Sequence, residues 1–158
     1  MKAKGSYYFL LWCASTLGVL TFIFCNSLRP AAASSEQSEA VFGVLQMLLF
    51  FLPFLTHAMV RALAHMVEFA LLGAHFALLP FLFPQKALPF RIYLLFLGML
   101  VPFIDEGIQA FVAGRAATFS DVLVDAIGYL LGAACMLLIA LLWRKKRRKG
   151  ERHAKKAL

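Results

Sequence analysis

Charge is scarce in this 158-residue chain: Asp, Glu, Lys and Arg make up 15% of it, while 62% is hydrophobic. Soluble globular domains carry about 25% charged residues, so an ordinary soluble domain is excluded, and the apolar content excludes a disordered one. Acids are scarcer still, eight against 16 basic residues, for a formal net charge of +8. Cysteine is limited to Cys13, Cys25 and Cys135. Cys13 and Cys25 fall on one predicted helix, too far apart to bridge, and none of the three has Cys-x-x-Cys spacing. We read them as small core hydrophobes. There is no HExxH segment, and no Ser or Cys is obviously paired with a base. No cofactor is expected. The remaining class is a single-domain integral membrane protein built from a few helices.

Crossing a bilayer takes about 20 apolar residues. Four stretches qualify, at about Ser6–Cys25, His57–Phe83, Arg91–Val112 and Phe119–Trp143. The first outruns the core of a secretory signal, so it reads as a retained anchor in spite of the Ala31-Ala32-Ala33 that follows. A fifth apolar segment, Ala40–Leu55, is shorter and is interrupted by Pro53. The Ser34-Ser35-Glu36-Gln37 before it has capping-box chemistry for a first helical turn. The basic residues decide its placement. Nine of the 16 lie in the run from Arg144 to Lys156, the charge bias of a cytoplasmic end. With four spans this tail joins Lys2, Lys4, Lys86 and Arg91 on the inside and leaves Arg29, Arg61 and Arg115 outside. A fifth span would separate the amino terminus from the tail. The expected fold is therefore an all-α bundle of four transmembrane helices, with 40–55 as an interfacial or re-entrant helix on the outer face. Residues 1–143 form the transmembrane domain and 144–158 a cytoplasmic tail able to meet anionic lipid. No aromatic side chain is interleaved in that tail for stacking on bases, so nucleic acid is not an expected partner.

Ionisable residues inside membrane helices are costly, and each is a functional candidate. On the second span His57, Arg61, His65, Glu68 and His75 fall within a sector of about 80° at 100° per residue. On the third, Asp105, Glu106 and Gln109 lie near its end, just after Pro102, which can open the backbone ladder. The loop contributes Arg115, and the fourth span starts with Asp121 and Asp125 on one face. Gly128 and Gly132 continue that face as a GxxxG strip for close helix packing. Alternating helix direction brings Arg61, His65, Glu68, Asp105, Glu106, Gln109, Arg115, Asp121 and Asp125 to similar depth under the outer leaflet. The bland reading is a structural network, with Arg61 and Arg115 neutralising carboxylates and His65 bonded to Glu68. Loss of Arg61 would then strand buried acids. His57 and His75 are weaker candidates, at the interface and too deep respectively. Phe50, Phe51 and Phe54 read as lipid-facing, and Ser27, Ser35 and Ser38 as turn and cap residues.

The pattern Arg61-x-x-x-His65-x-x-Glu68, then Asp105-Glu106-x-x-Gln109 with Arg115, then Asp121-x-x-x-Asp125 with Gly128 and Gly132, resembles the VanZ-like family. So does Asn26-Ser27-Leu28-Arg29-Pro30 at the end of the first span. The resemblance implies a small multi-pass protein of the bacterial cytoplasmic membrane, with a link to low-level resistance to teicoplanin-type glycopeptides. Asp125 departs from the Asn usual at its position and adds an acid.

Three readings of the cluster follow. In the favoured one it is a binding cavity for an amphiphilic or lipid-linked envelope molecule, with Arg61 and Arg115 on the head group. The alternative is a membrane hydrolase or transferase using His65 or Glu68 as base, with the carboxylates sharing a proton or holding a divalent ion. No metal-ligand motif identifies such an ion. A proton-linked transporter ranks last, because the inner half offers no matching polar path apart from His75.

Overall fold

The computed structural model describes residues 2–48, 56–82 and 88–156, all helical or connecting, with no strand among them. The order is α1 (Lys2–Ser27), α2 (Ala31–Leu48), α3 (His57–Leu82), α4 (Leu88–Met99), α5 (Val101–Gln109) and α6 (Phe119–Lys156). Among the described residues three helices contain stretches long and apolar enough to cross a membrane, Tyr7–Ser27, His57–Leu79 and Phe119–Arg147. The expected third span is instead a broken pair. Leu100 bonds back to Leu97 O at 3.2 Å in a tightened turn, and Pro102, without an N–H, sits in the first turn of α5. The backbone ladder is interrupted there, leaving α4 at 12 residues and α5 at 9.

Helix starts follow local chemistry. Thr56 caps α3, its hydroxyl accepting from Met59 N–H at 3.2 Å, and Thr118 caps α6 in the same way for Asp121 N–H at 3.3 Å. Asp121 then lies in the first turn of α6, where a carboxylate complements the helix dipole. The start of α2 differs from the expectation. It begins directly behind Pro30, with Ser34 N–H on Pro30 O at 3.1 Å, so Ser34–Gln37 lie inside the helix rather than forming its capping box. Proline's fixed φ suits a helix entrance. α2 ends at Leu48; Phe50, Phe51, Pro53 and Phe54 lie outside the described residues. α6 also runs past Trp143 to Lys156, so the first basic residues of the tail are helical. Arg147 lies over the Trp143 ring at 5.8 Å.

The framework is the α3–α6 pair. Lipid is as apolar as leucine, so helices in a bilayer associate by close approach and polar contacts rather than by the hydrophobic effect. A Cβ at Gly128 would overlap the backbone of Met66, one at Gly132 the carbonyl of Ala70, and one at Gly73 the carbonyl of Tyr129. Three glycines thus bring the two backbones together. Tyr129, fully buried, donates its hydroxyl to Leu95 O at 2.9 Å and ties α4 to the pair. Trp12, Ile23, Phe69, Leu72, Phe76, Leu79 and Val101 complete the core. Leu63, Val67, Leu71, Ile127, Leu130 and Leu131 point outward, as lipid-facing residues do. Cys25 and Cys135 are also exposed, which corrects their reading as core residues.

His75 has a structural role. Its ring stacks on Trp12 with centroids 5.5 Å apart, and Nε2 lies 2.8 Å from Thr16 Oγ1. This clamps α1 to α3 far from the acidic residues.

Replacing Gly132 with Leu is expected to force α3 and α6 apart and cost about 1–3 kcal/mol or more. Gly18→Ala, where a Cβ meets nothing within 4 Å, is expected to be neutral or slightly stabilising. Thermal unfolding in detergent compares the two; a Gly132→Leu protein melting with wild type would contradict the close approach.

Candidate functional site

At one end of the bundle the last turn of α1, the first turns of α3 and α6, and the whole of α5 converge. Helical periodicity puts Asp105 and Gln109 on one face of α5, so the Gln109 amide donates to Asp105 Oδ2 at 2.7 Å. The other Asp105 oxygen accepts from the hydroxyl of Ser27 on α1. Asp105 is fully buried, and Ser27 nearly so. Asn26, one residue earlier, donates from its amide to Glu68 Oε1 at 2.8 Å. Glu106 Oε1 accepts the Thr118 N–H at 2.6 Å, which joins α5 to the entrance of α6.

Asp125 is different. It is 1% exposed, yet neither of its oxygens has a hydrogen-bond partner among the described residues. Its nearest basic neighbour is His65, with Nδ1 3.7 Å from Oδ1, an ionic contact too long for a hydrogen bond. His65, Asp105 and Asp125 each offer a ligand atom within 4.8 Å of the others, the one such group among the described residues.

Two recesses flank His65. One, of about 250 Å³, is lined by Arg61, His65, Gln109, Asp121 and Asp125, among others. The other, of about 90 Å³, lies between α2, α3 and the end of α1; Arg29, Arg61 and Arg115 all line it, with Gln37, Ser34, Ser38 and Glu68. Arg29 donates to Gln37 Oε1 at 2.5 Å and Arg115 to Asn26 O at 3.3 Å. Arg115 Nε is buried without a hydrogen-bond partner among the described residues. Partial burial, and then the like charge of Arg61, draw the Arg115 guanidinium below its ordinary pKa, though arginine stays cationic in proteins. Gly114, at φ +76°, turns the loop that presents Arg115, and Ala31 N–H on Ala113 O at 3.2 Å holds that loop to the start of α2. Left-handed φ of this kind favours glycine.

The structure thus gathers the nine singled-out polar residues at one end, but wires them differently. Asp105, Glu106, Gln109 and Asp125 are buried, His65 and Asp121 half-buried, and Arg61 exposed. Among the described residues no carboxylate forms an ion pair with Arg29, Arg61 or Arg115, and His65 faces Asp125 while Glu68 is taken by Asn26. Apart from Asp125, the acids of the cluster's interior are held by amides, a hydroxyl and a backbone N–H. Ser27 is a buried donor to Asp105 rather than a turn residue, whereas Ser38 does bond locally, to Ser34 O at 2.9 Å. Asn26 and Thr118 were missed as site residues. The available signal was the polar Asn26-Ser27 pair closing an otherwise apolar span at the depth of the acids. His57 is exposed, its ring centroid 4.0 Å from that of Phe42 on α2.

A family model described as VanZ/LLP1 matches residues 7–142 of the chain. No curated protein and no solved structure matches it.

Because Ser27 satisfies a carboxylate without access to water, Ser27→Ala is expected to cost about 1–3 kcal/mol, the penalty for a stranded buried acceptor. Arg61→Ala removes an exposed side chain and is expected to cost about 0.5 kcal/mol or less. Chemical or thermal unfolding in one detergent ranks the two, and the reverse order would refute this wiring.

Proposed function

The chain belongs to the VanZ/LLP1 family, and from that premise we propose that this membrane protein binds the anionic head group of an amphiphilic or lipid-linked envelope molecule, and through it contributes to resistance to teicoplanin-type glycopeptides. The observation that carries this reading is the convergence of Arg29, Arg61 and Arg115 on one recess without a carboxylate paired to any of them among the described residues. Guanidinium groups held in a small concave site suit a phosphate or carboxylate, which they bind through charge-assisted bonds. Ser34, Gln37 and Ser38 on α2 add hydroxyl and amide groups for the sugar or polar part of such a head group. The outward apolar faces of α2, including Val41, Val44 and Met47, lie beside acyl chains in this reading.

The proposed topology has four crossings, with α4 and α5 together making the third. Both termini are cytoplasmic, the recess opens under the outer leaflet, and the basic tail rests on anionic lipid. The charge distribution supports it, since Arg29, Arg61 and Arg115 are the basic residues assigned to the outside. A second reading is a hydrolase or transferase acting on the same molecule. Its support is His65 beside Asp125, both lining the larger recess next to Arg61, an arrangement suited to proton transfer.

Expressed in a susceptible bacterium, the wild-type chain is expected to raise the inhibitory concentration of teicoplanin. Arg115→Gln or Arg61→Gln should return it to the vector level with unchanged membrane accumulation. Losing one charge-assisted contact of about 1.5–3 kcal/mol corresponds to roughly 10–100-fold in affinity. Full resistance with both variants would reject the arginine recess, and a chemically altered lipid appearing only with wild type would favour the enzymatic reading.

Topology is checked separately. In a chain whose three cysteines are replaced, Ala116→Cys is expected to react with a membrane-impermeant maleimide on intact cells or spheroplasts. Labelling only after the membrane is opened would invert the orientation.

A further inference from the structure

The buried Asp125 carboxylate lies beside His65 and Asp105, and no described residue hydrogen-bonds to either of its oxygens. Clustered acids are common without a ligand. A carboxylate that is 1% exposed and makes no hydrogen bond is not. Desolvating such a group is costly, native proteins tolerate few, and an ion at the site is one of the recognised reasons for one. We propose that His65, Asp105 and Asp125 bind a divalent first-row transition ion of the zinc or manganese kind.

The donor set carries the choice of metal. Calcium and magnesium prefer all-oxygen shells, whereas an imidazole with two carboxylates suits zinc, manganese or iron. Bonds of about 2.0–2.2 Å bring ligand atoms on one ion roughly 3–4 Å apart. The three side chains, within 4.8 Å of one another, close to that spacing by small rotamer changes. Asp105 is already oriented for the task by Ser27 on one oxygen and Gln109 on the other. Hydrogen bonds of this kind fix metal-ligating carboxylates, and each oxygen keeps a lone pair for the ion. The larger recess, lined by His65 and Asp125, supplies an entry path. Three protein ligands leave the remaining coordination positions open toward Arg61, to water or to an anionic head group. Two positive charges on the ion would also balance two carboxylates in a region with little water.

The proposal deepens the recess reading above and shares its location, but metal binding is measured with no envelope molecule present, so the two fail separately. Full-length protein carrying a tag without histidines is purified in detergent without chelator, and its metal content is read by inductively coupled plasma mass spectrometry. About one equivalent is expected. After chelation, Zn²⁺ or Mn²⁺ titrated by calorimetry should rebind and raise the melting temperature of the wild type. Asp125→Asn and His65→Gln should each weaken binding at least tenfold, while Asp121→Asn, on the rim of the same recess, should bind as wild type. The wild-type melting shift keeps the test decisive even where a variant fails to fold. Absence of both bound metal and any melting shift in wild type would overturn the site. So would undiminished metal in a monodisperse Asp125→Asn protein, or equal losses in Asp121→Asn and Asp125→Asn, which would reduce the effect to general acidic attraction.

Discussion

Acids withdrawn from water within a helical membrane bundle must find their partners in neighbouring helices, and that constraint organises this protein. Asp105 takes one donor from α1 and one from its own helix, Glu68 takes Asn26, and Glu106 takes the backbone at the start of α6. The Ser27, Asn26 and Thr118 bonds each join different segments of the chain. In α1 only 11% of the apolar window is buried, against 33% and 39% for the spans in α3 and α6. Packing alone holds it weakly. The Ser27–Asp105 and Asn26–Glu68 bonds fix one end of α1, and the stacking of Trp12 on His75 with the Thr16 contact fixes its middle.

The α3–α6 pair supplies the rigid part against which these bonds work. Gly73, Gly128 and Gly132 allow the two backbones to touch, which lets short side chains such as Asp125 and His65 reach one another across the interface. Larger residues there would separate the helices by several ångströms and dissolve the cluster. The packing strip and the polar site are thus consecutive parts of one helix face, the glycines lying one and two helical turns beyond Asp125. The broken α4–α5 pair serves the same end, because the interruption at Leu100 and Pro102 sets α5 on its own course and turns Asp105, Glu106 and Gln109 inward together.

Much of the site was legible because intramembrane charge is expensive, so the residues that carry it stand out against an apolar background. His65, Glu68, Asp105, Glu106, Gln109 and Asp125 could be picked out on composition and helical spacing alone. Their partners could not. Arginine was expected to neutralise the acids, since opposite charges attract most strongly at low dielectric. Yet Arg61 is exposed, and Glu68, Asp105 and one oxygen of Glu106 are met by neutral donors. Ser27 passed as a turn residue because small polar residues at helix ends are ordinary there, and Asn26 and Thr118 were not singled out as site residues. The start of α2 was misplaced for a related reason. Ser34–Gln37 fits a capping box, but Pro30 opens a helix equally well and lies earlier.

Sequence alone was enough for the membrane class, the three apolar spans in α1, α3 and α6, and the family, because each depends on local composition or on short-range spacing along one helix. Which acid meets which donor, and that Asp125 is left without one while three arginines share a recess, was decided by tertiary structure. Those facts depend on the rotation and depth of helices relative to one another. Such relations are set by contacts between residues tens of positions apart, and no local pattern encodes them.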